Sequence, residues 1–283
     1  MASIVFSSSK GGVGKTTSAL ILATTLAEYA NVTLIDTDPS VPLKRWRERA
    51  TAVSDNLTII TSEDNRVVNE DSIFGFIQEA EKESAFVVVD LACSASTMAG
   101  HVIAYADLVI VPMAASQLDA DEAANTMKLI KRQEVVNRRK IPWRILFTRS
   151  PSAIRTRNMD LIQNDLREVG IKAFETHLNH REAFRAIFTY GATLRAEGLE
   201  KAVAGLPKAV RNADLFAEEV IETLKVVVKA STASGFSQSL KSADEEGPPL
   251  APERQHKPRA ERKPVGQIFP STVIAPSVLS LYI

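Results

Sequence analysis

A glycine-rich segment near the start of the chain combines two lysines with a row of hydroxyl side chains. It reads SSSKGGVGKTT over residues 7–17, between an apolar run at 4–6 and a helix-period segment at 18–29. A strand–loop–helix of this composition is typical of a loop that binds phosphate through backbone N–H groups. We expect Lys15 to contact the β- and γ-phosphates of a nucleotide, and the Thr16 hydroxyl to ligate Mg²⁺. The predicted cofactor-binding residues of the loop are Lys10, Gly11, Gly12, Val13, Gly14, Lys15, Thr16 and Thr17.

Three aspartates follow apolar runs elsewhere in the chain. Asp36 and Asp38 come after residues 32–35, and Asp90 ends the run at 86–89. A carboxylate at such a position can hold Mg²⁺, directly or through water. We therefore predict Asp90 as a metal residue together with Thr16. A structural aspartate at a strand end, or an ordinary Asp-Pro turn at Asp38, is the alternative for each.

The elements that position these residues follow from apolar runs that alternate with helical patterns. Strands are predicted at residues 4–7, 32–35, 57–60, 86–89, 108–111, 141–147 and, more weakly, 173–176. Helices are predicted at residues 18–29, 43–50, 71–83, 119–136, 158–169, 181–188 and 209–228, with Asp119 and Glu122 as a capping box. This alternation favours an α/β fold with a doubly wound, mostly parallel sheet and helices on both faces. The loop and the three aspartates would then share the carboxyl edge of the sheet, where such folds bind ligands.

Composition sets the domain organisation and excludes some functions. The 283 residues carry a formal net charge of zero, so nucleic-acid binding would need a local basic patch. A single cysteine, Cys93, excludes an internal disulfide and a cysteine-rich metal site. We find no leader pattern and no long apolar run, which favours a cytoplasmic protein.

The last part of the chain has a different composition. Seven of the thirteen prolines lie after residue 230, at positions 248, 249, 252, 258, 264, 270 and 276. Such a segment buries too little apolar surface to offset the entropy of ordering it. We predict a nucleotide-binding domain over residues 1–230 and a disordered tail over residues 231–283, with a docking peptide near the end as the alternative.

The loop departs from the ordinary phosphate-loop template in a specific way. In G-x-x-x-x-G-K-[ST] the first glycine would stand at Ser9, and here a second lysine, Lys10, follows it. The pattern K-G-G-x-G-K-T-T resembles the deviant Walker A motif of the ParA/MinD family of dimeric ATPases. Residues 106–113 and 116–120 resemble those of small plasmid-borne ParA-like and VirC-type partition proteins. The resemblance covers most of residues 2–228.

This resemblance implies cofactors and catalytic roles. It implies ATP and Mg²⁺ as cofactors, with Lys10, Lys15 and Asp38 as catalytic residues. The D-x-D-P stretch at residues 36–39 resembles the family's switch segment, in which the first aspartate, here Asp36, lies close to Mg²⁺ as a metal residue. Lys10 would cross a homodimer interface to the other subunit's nucleotide, and Asp38 would position the attacking water. The chain differs from the family pattern at Ser40, where glutamine is usual, and over residues 91–96.

The resemblance also implies contacts to the base, to DNA and to a partner. Thr148 and Arg149 stand where the family packs the adenine. Related ATPases hold nonspecific DNA with basic residues of the C-terminal helical region, here Arg181, Arg185, Lys208 and Arg211, with Arg155 and Arg157 as further candidates. Solvated surface is the alternative for each of these side chains. A ParB-like or other activating partner would accelerate slow hydrolysis, and the ATP-bound form would associate with the nucleoid.

Several functions compete at this point. The favoured one is an ATP-dependent switch that segregates or positions plasmid or chromosomal DNA. A MinD-like membrane-positioning ATPase is the alternative, although residues 216–229 include Glu218, Glu219 and Glu222 where a lipid-binding helix would be basic. An ATP-dependent ligase or kinase would need a second substrate pocket that no segment indicates. Iron–sulfur relatives with this loop need two cysteines per subunit, which Cys93 alone does not supply.

Overall fold

The computed structural model of the chain describes residues 1–51, 53–63, 67–92, 97–151 and 157–243. Within them, one sheet of seven strands runs in the order β3-β2-β4-β1-β5-β6-β7, and every neighbouring pair is parallel. The strands are β1 (Ala2–Phe6), β2 (Val32–Asp36), β3 (Leu57–Ile60), β4 (Phe86–Asp90), β5 (Leu108–Met113), β6 (Trp143–Ser150) and β7 (Leu178–Asn179). The predicted parallel α/β sheet is confirmed.

Helices cover both faces of this sheet. They are α1 (Lys15–Leu26), α2 (Pro42–Arg49), α3 (Ile73–Glu83), α4 (Thr97–Tyr105), α5 (Gln117–Val136), α6 (Arg157–Glu168), α7 (Glu182–Tyr190), α8 (Leu199–Ala202) and α9 (Leu206–Ala243). Residues of α1, α2, α7, α8 and α9 form one apolar core, and residues of α3, α4, α5 and α6 form the other. In β1, Ile4 and Phe6 face the first core while Val5 faces the second. A strand buried on both faces needs apolar residues at every position, which explains the continuous apolar runs in the sequence.

Three local predictions were wrong. The predicted strand at 173–176 is a single bridge between Ala173 and Ile145, and the seventh strand lies further on, at β7. Helix α5 begins two residues before Asp119, and its N-cap is Ser116, which accepts a hydrogen bond from the Asp119 N–H. The predicted pair of Asp119 and Glu122 therefore does not cap it. Helix α4 had no counterpart among the predicted helices.

The end of the folded part also differs from the prediction. Helix α9 continues past the predicted end at Val228 to Ala243, so the first residues of the predicted disordered tail are helical. Residues 244–283, Cys93 and Arg155 lie outside the described residues, and the two-part division of the chain stays a prediction. Among the helices described here, none has the length and apolar character needed to cross a bilayer.

Candidate nucleotide-binding site

The glycine-rich loop leaves the middle of the sheet, between the carboxyl ends of β4 and β5. Gly14 is the last residue before α1 and has a φ of 90°, and Gly12 has a φ of 76°. Side chains other than glycine adopt such angles at a cost, so the two glycines allow this bend. A glycine also has no side chain with which to cap a helix. The first N–H groups of α1 therefore point, with the positive end of the helix dipole, towards the space an anion would fill.

The loop is supported from below by β6. The Thr148 hydroxyl donates a hydrogen bond of 2.7 Å to the Val13 carbonyl, and Thr148 is buried. The Ser18 hydroxyl donates to the Gly14 carbonyl at 2.8 Å. A methyl group added at Gly14 would meet the Thr148 side chain at 3.5 Å. The structure thus places Thr148 under the phosphate loop, where it fixes the loop's path.

Lys15 and Asp90 face each other beneath the loop. The Lys15 amine lies 3.9 Å from the Asp90 carboxylate, and the two side chains are 6% and 1% exposed. Among the described residues, neither carboxylate oxygen of Asp90 has a hydrogen-bond partner. Burial raises the pKa of Asp90 to about 7, against the opposing effects of the Lys15 charge and the nearby Thr16 hydroxyl. A buried carboxylate with both oxygens open is an unusual arrangement that a cation or its water ligands would satisfy.

Asp36 lies next to Asp90 because β2 and β4 pair in register at these two residues. The two oxygens of Asp36 accept hydrogen bonds from the N–H groups of Asp38 and Leu43, at 3.0 and 3.1 Å. Burial raises the pKa of Asp36, and those backbone hydrogen bonds lower it. Asp38 in turn accepts from the Ser40 N–H at 2.8 Å. Asp36 therefore shapes the turn that leads into α2, and the water-positioning role of Asp38 stays a prediction.

A cavity of about 540 Å³ adjoins the loop on the side of α1 and α7, a volume suited to a nucleoside. Arg149 lies at its rim, exposed, with a φ of 54°. The Arg181 Nη2 donates to Asn179 at 3.2 Å, while its buried Nε has no hydrogen-bond partner within the part of the chain that the structure describes. The lining residues are Gly14, Thr17, Ser18, Ile21, Thr148, Arg149, Leu178, Asn179, His180, Arg181, Phe184, Arg185 and Phe188.

The predicted DNA contacts that the structure describes fall in three places. Arg181 and Arg185 line this cavity, and Arg185 also forms an exposed ion pair with Glu182 at 3.6 Å. Lys208 and Arg211 are exposed on α9, and Arg157 is exposed at the start of α6. Sequence reasoning missed the contribution of residues 178–180 and of Phe184 and Phe188 to the cavity. The nearby sequence signal was the weak strand pattern at 173–176, which precedes β7 and forms only one bridge to the sheet.

Lys10, the extra lysine of the loop, is held within its own chain. Its amine lies 2.6 Å from Asp119 at the start of α5. The lysine side chain is 33% exposed, and Asp119 is nearly buried. The structure therefore brings Lys10 to the edge of the site, beside the loop, and not over it.

Comparison with known proteins identifies the family. A family model described as VirC1 protein matches residues 1–231. The chain belongs to the VirC1 family. It is 35% identical over 222 residues to protein ParA of Rhizobium radiobacter, across 78% of this chain and 96% of that relative. It is 28% identical over 233 residues to protein virC1 of the same organism, across 80% of this chain and 97% of that relative. The predicted likeness to ParA-like and VirC-type proteins is confirmed.

The fold of this VirC1-family chain also matches solved structures. A putative plasmid partition protein from Borrelia burgdorferi B31, bound to AMPPNP, superposes with a TM-score of 0.59 at 18% identity, over 78% of this chain and 98% of that one. The apo structure of McdA from Cyanothece superposes with a TM-score of 0.60 at 17% identity, over 75% and 99%. At such identities the likeness concerns the fold, which is that of P-loop ATPases of the ParA/MinD type.

The donors of this VirC1-family site suit Mg²⁺ bound mainly by phosphates and water. Within the described ranges, no three His, Cys, Asp or Glu side chains come together as a metal cluster. Mg²⁺ in nucleotide sites is ordinarily held by one or two protein oxygens, which Thr16 and Asp90 would supply. Bound there, it would neutralise phosphate charge. Asp36 is the less direct candidate, since both its oxygens already accept backbone hydrogen bonds.

Replacing Asp90 with asparagine should change how stability depends on pH in nucleotide-free protein. The folded-state pKa of Asp90, about 7, is above its ordinary value of 3.8. Wild-type stability should therefore fall as pH rises from about 4 to about 7 and stay lower above that, because the folded state must then ionise a buried carboxyl. At about 1.4 kcal/mol per pKa unit, the variant should gain up to about 4 kcal/mol relative to wild type across this range. Urea unfolding at pH 5 and pH 8 in EDTA measures this, and an equal difference at both pH values would contradict it.

Proposed function

We propose that this VirC1-family protein is an ATP-dependent switch that segregates or positions DNA. Binding of ATP with Mg²⁺ drives two copies to dimerise face to face, and Lys10 of each copy reaches the nucleotide of the other. The dimer binds DNA without sequence preference. Slow hydrolysis to ADP and phosphate, accelerated by a ParB-like or other activating partner, releases the DNA. The structure of the Borrelia burgdorferi neighbour contains AMPPNP, which supports ATP as the nucleotide. That neighbour, a putative plasmid partition protein, and the ParA relative support DNA segregation as the role.

The observation that carries this proposal is the pair formed by Lys15 and Asp90. A buried amine and a buried carboxylate lie 3.9 Å apart beside the glycine-rich loop, and among the described residues neither carboxylate oxygen has a hydrogen-bond partner. Phosphoryl transfer needs positive charge, in-line geometry and a held metal more than covalent chemistry from the protein. Lys15 and the α1 N-terminus supply the charge, and Asp90 with Thr16 would hold the metal.

Arg181 should act at the nucleotide more than at DNA. Arg181 lines the cavity beside the loop, and among the described residues its buried Nε has no hydrogen-bond partner, so this donor needs an acceptor. Losing a charge-assisted hydrogen bond costs about 1.5–3 kcal/mol, so Arg181→Ala should weaken ATP binding about tenfold to a hundredfold. Displacement of a fluorescent ATP analogue measures this. Arg185→Ala, which removes an exposed member of the same cavity, is the matched control and should change affinity less than about threefold; equal effects of both changes would contradict the assignment.

Lys208 and Arg211 on α9 are the better candidates for the DNA surface. Both are exposed, and two-fold symmetry would double them in a dimer. Contacts of this kind bind phosphates without reading bases and weaken steeply with salt.

The function is tested by binding of a fluorescent DNA duplex of arbitrary sequence. We expect binding with Mg²⁺ and a nonhydrolysable ATP analogue, little binding with ADP, and a steep loss of affinity as salt increases. Lys208→Ala with Arg211→Ala should weaken it. Lys82→Ala with Arg167→Ala, two exposed residues of helices that pack on the opposite face of the sheet, is the control pair. Equal DNA affinity with ATP analogue and ADP would refute the switch.

Sedimentation of the same protein with liposomes tests the alternative of a membrane-positioning ATPase. The apolar side of α9 packs into the core through Phe216, Val220 and Leu224. Glu219 on that helix accepts hydrogen bonds of 2.8 Å from the N–H groups of Glu175 and Thr176. The apolar side chains at 216, 220 and 224 are thus already buried against the protein core and are not available to lipid. Nucleotide-dependent sedimentation with liposomes, without DNA binding, would favour the alternative.

A further inference from the structure

The head of the phosphate loop is tied to the first turns of α5. The Lys10 amine contacts Asp119 at 2.6 Å. The neighbouring Ser9 hydroxyl lies 2.8 Å from both the main-chain and the carboxylate oxygen of Glu122, and the Ser9 N–H donates to the Thr126 hydroxyl at 3.2 Å. Three successive turns of one helix thus contact two adjacent loop residues. Ser9 stands where the common phosphate-loop motif has glycine, and a glycine there would remove the hydroxyl contacts to Glu122.

A neighbouring hydroxyl group orients the Asp119 carboxylate towards Lys10. Ser116, the N-cap of α5, donates its hydroxyl to Asp119 Oδ2 at 2.5 Å, which leaves Oδ1 for Lys10. Burial acts to raise the pKa of Asp119, but hydrogen bonds from Lys10 and Ser116 and the charges of Lys10 and Arg149 outweigh it and lower the pKa. The carboxylate therefore stays ionised at neutral pH and holds the amine by a charge-assisted hydrogen bond.

We propose that Asp119 is a latch that keeps Lys10 within its own subunit and so sets the ATP and protein concentrations at which dimers form. This inference rests on the proposed function, in which Lys10 must reach across to a second copy. To extend towards a second copy, the amine has to give up its 2.6 Å contact with Asp119, so in this proposal each copy releases its latch before the dimer closes.

The size of the effect follows from the geometry of the pair. The lysine is partly exposed and the aspartate is nearly buried, so the pair is stronger than a surface ion pair and weaker than a fully buried one. A change of about threefold to tenfold per subunit is reasonable for such a contact. Because a dimer releases two latches, we expect the dimer dissociation constant to fall by about tenfold or more when Asp119 is made neutral.

The experiment is sedimentation velocity of the full chain across a dilution series, with Mg²⁺ and a nonhydrolysable ATP analogue. Asp119→Asn keeps the shape of the side chain and removes its charge, and it should shift the dimer to lower protein and nucleotide concentrations. Ser116→Ala removes the hydroxyl that both orients Asp119 and caps α5, and it should give a smaller shift in the same direction. Asp121→Asn, an exposed carboxylate on the same helix, is the control and should match wild type. Adding Lys10→Ala to Asp119→Asn should abolish the gain.

Each outcome decides between the latch and the switch. Dimerisation of Asp119→Asn equal to or weaker than that of wild type, with normal thermal unfolding and normal binding of a fluorescent ATP analogue to the monomer, overturns the latch and leaves the switch intact. Monomers in both proteins at every concentration refute the switch and the latch with it. Dimers in the variant alone support both. A misfolded variant would show itself in the thermal and monomer-binding measurements, and the Ser116→Ala series then decides the question.

Discussion

Replacing Lys15 with alanine is expected to abolish ATP binding and hydrolysis at ordinary nucleotide concentrations. The Lys15 side chain is buried, its amine lies 3.9 Å from Asp90, and the loop motif predicts that this amine contacts the β- and γ-phosphates. Each charge-assisted hydrogen bond is worth about 1.5–3 kcal/mol, and the amine can make more than one to a triphosphate. We therefore expect affinity to fall by about a hundredfold or more, measured by displacement of a fluorescent ATP analogue and by phosphate release.

The fold should survive this change. Without the Lys15 charge, the pKa of Asp90 would rise further, because that charge is the largest effect that lowers it. A neutral carboxyl is cheaper to bury than an ionised one, so a proton can replace the lost amine. Lys140→Ala, a change to an exposed lysine after α5, is the control and should leave binding and stability unchanged. ATP affinity of Lys15→Ala within about threefold of wild type would remove Lys15 from the phosphate site.

The sequence alone predicted the site where its signals are local. Strands β1, β2 and β4 are buried at every position, so their apolar runs stand out from the polar segments around them. The rule that parallel strands present their carboxyl ends at one edge then brings the loop, Asp36 and Asp90 together. The observed register, with Asp36 directly opposite Asp90, confirms that reasoning. Of the three glycines in the loop, Gly12 and Gly14 have positive φ angles and Gly11 does not.

What the sequence did not reveal depends on contacts between distant parts of the chain. Asp119 resembled a helix cap by its spacing to Glu122, but it lies beside Lys10, 109 positions earlier. Arg181 and Arg185 resembled surface charge, but β7 places them beside the loop. Strand β7 has two residues, too few for a period to be read. Helix α4 contains Gly100 and follows a serine-rich stretch in the sequence, and both features lower its intrinsic helix propensity. It forms a helix in the structure, where its apolar residues pack into the second core.

Lys10→Ala is expected to separate ATP binding from dimerisation. Lys10 lies at the edge of the site with its amine on Asp119, so the loop N–H groups, Lys15 and Asp90 can hold a nucleotide without it. We expect ATP affinity in the monomer to stay within about threefold of wild type, while the dimer and the DNA binding that depends on it are lost. Sedimentation velocity with a nonhydrolysable analogue and DNA anisotropy in the same buffer measure the two effects.

Comparison with Lys15→Ala makes this prediction specific, because replacing each of the two lysines of the loop should remove a different property of the protein. The Lys15→Ala variant should lose ATP binding, whereas the Lys10→Ala variant should bind ATP and lose only dimerisation. Loss of ATP affinity in Lys10→Ala as large as in Lys15→Ala would mean that both amines act on the nucleotide of their own subunit. ATP-dependent dimers of normal strength from Lys10→Ala would mean that the extra lysine does not act across the interface. In that case Asp119 would hold Lys10 only to fix the shape of the loop.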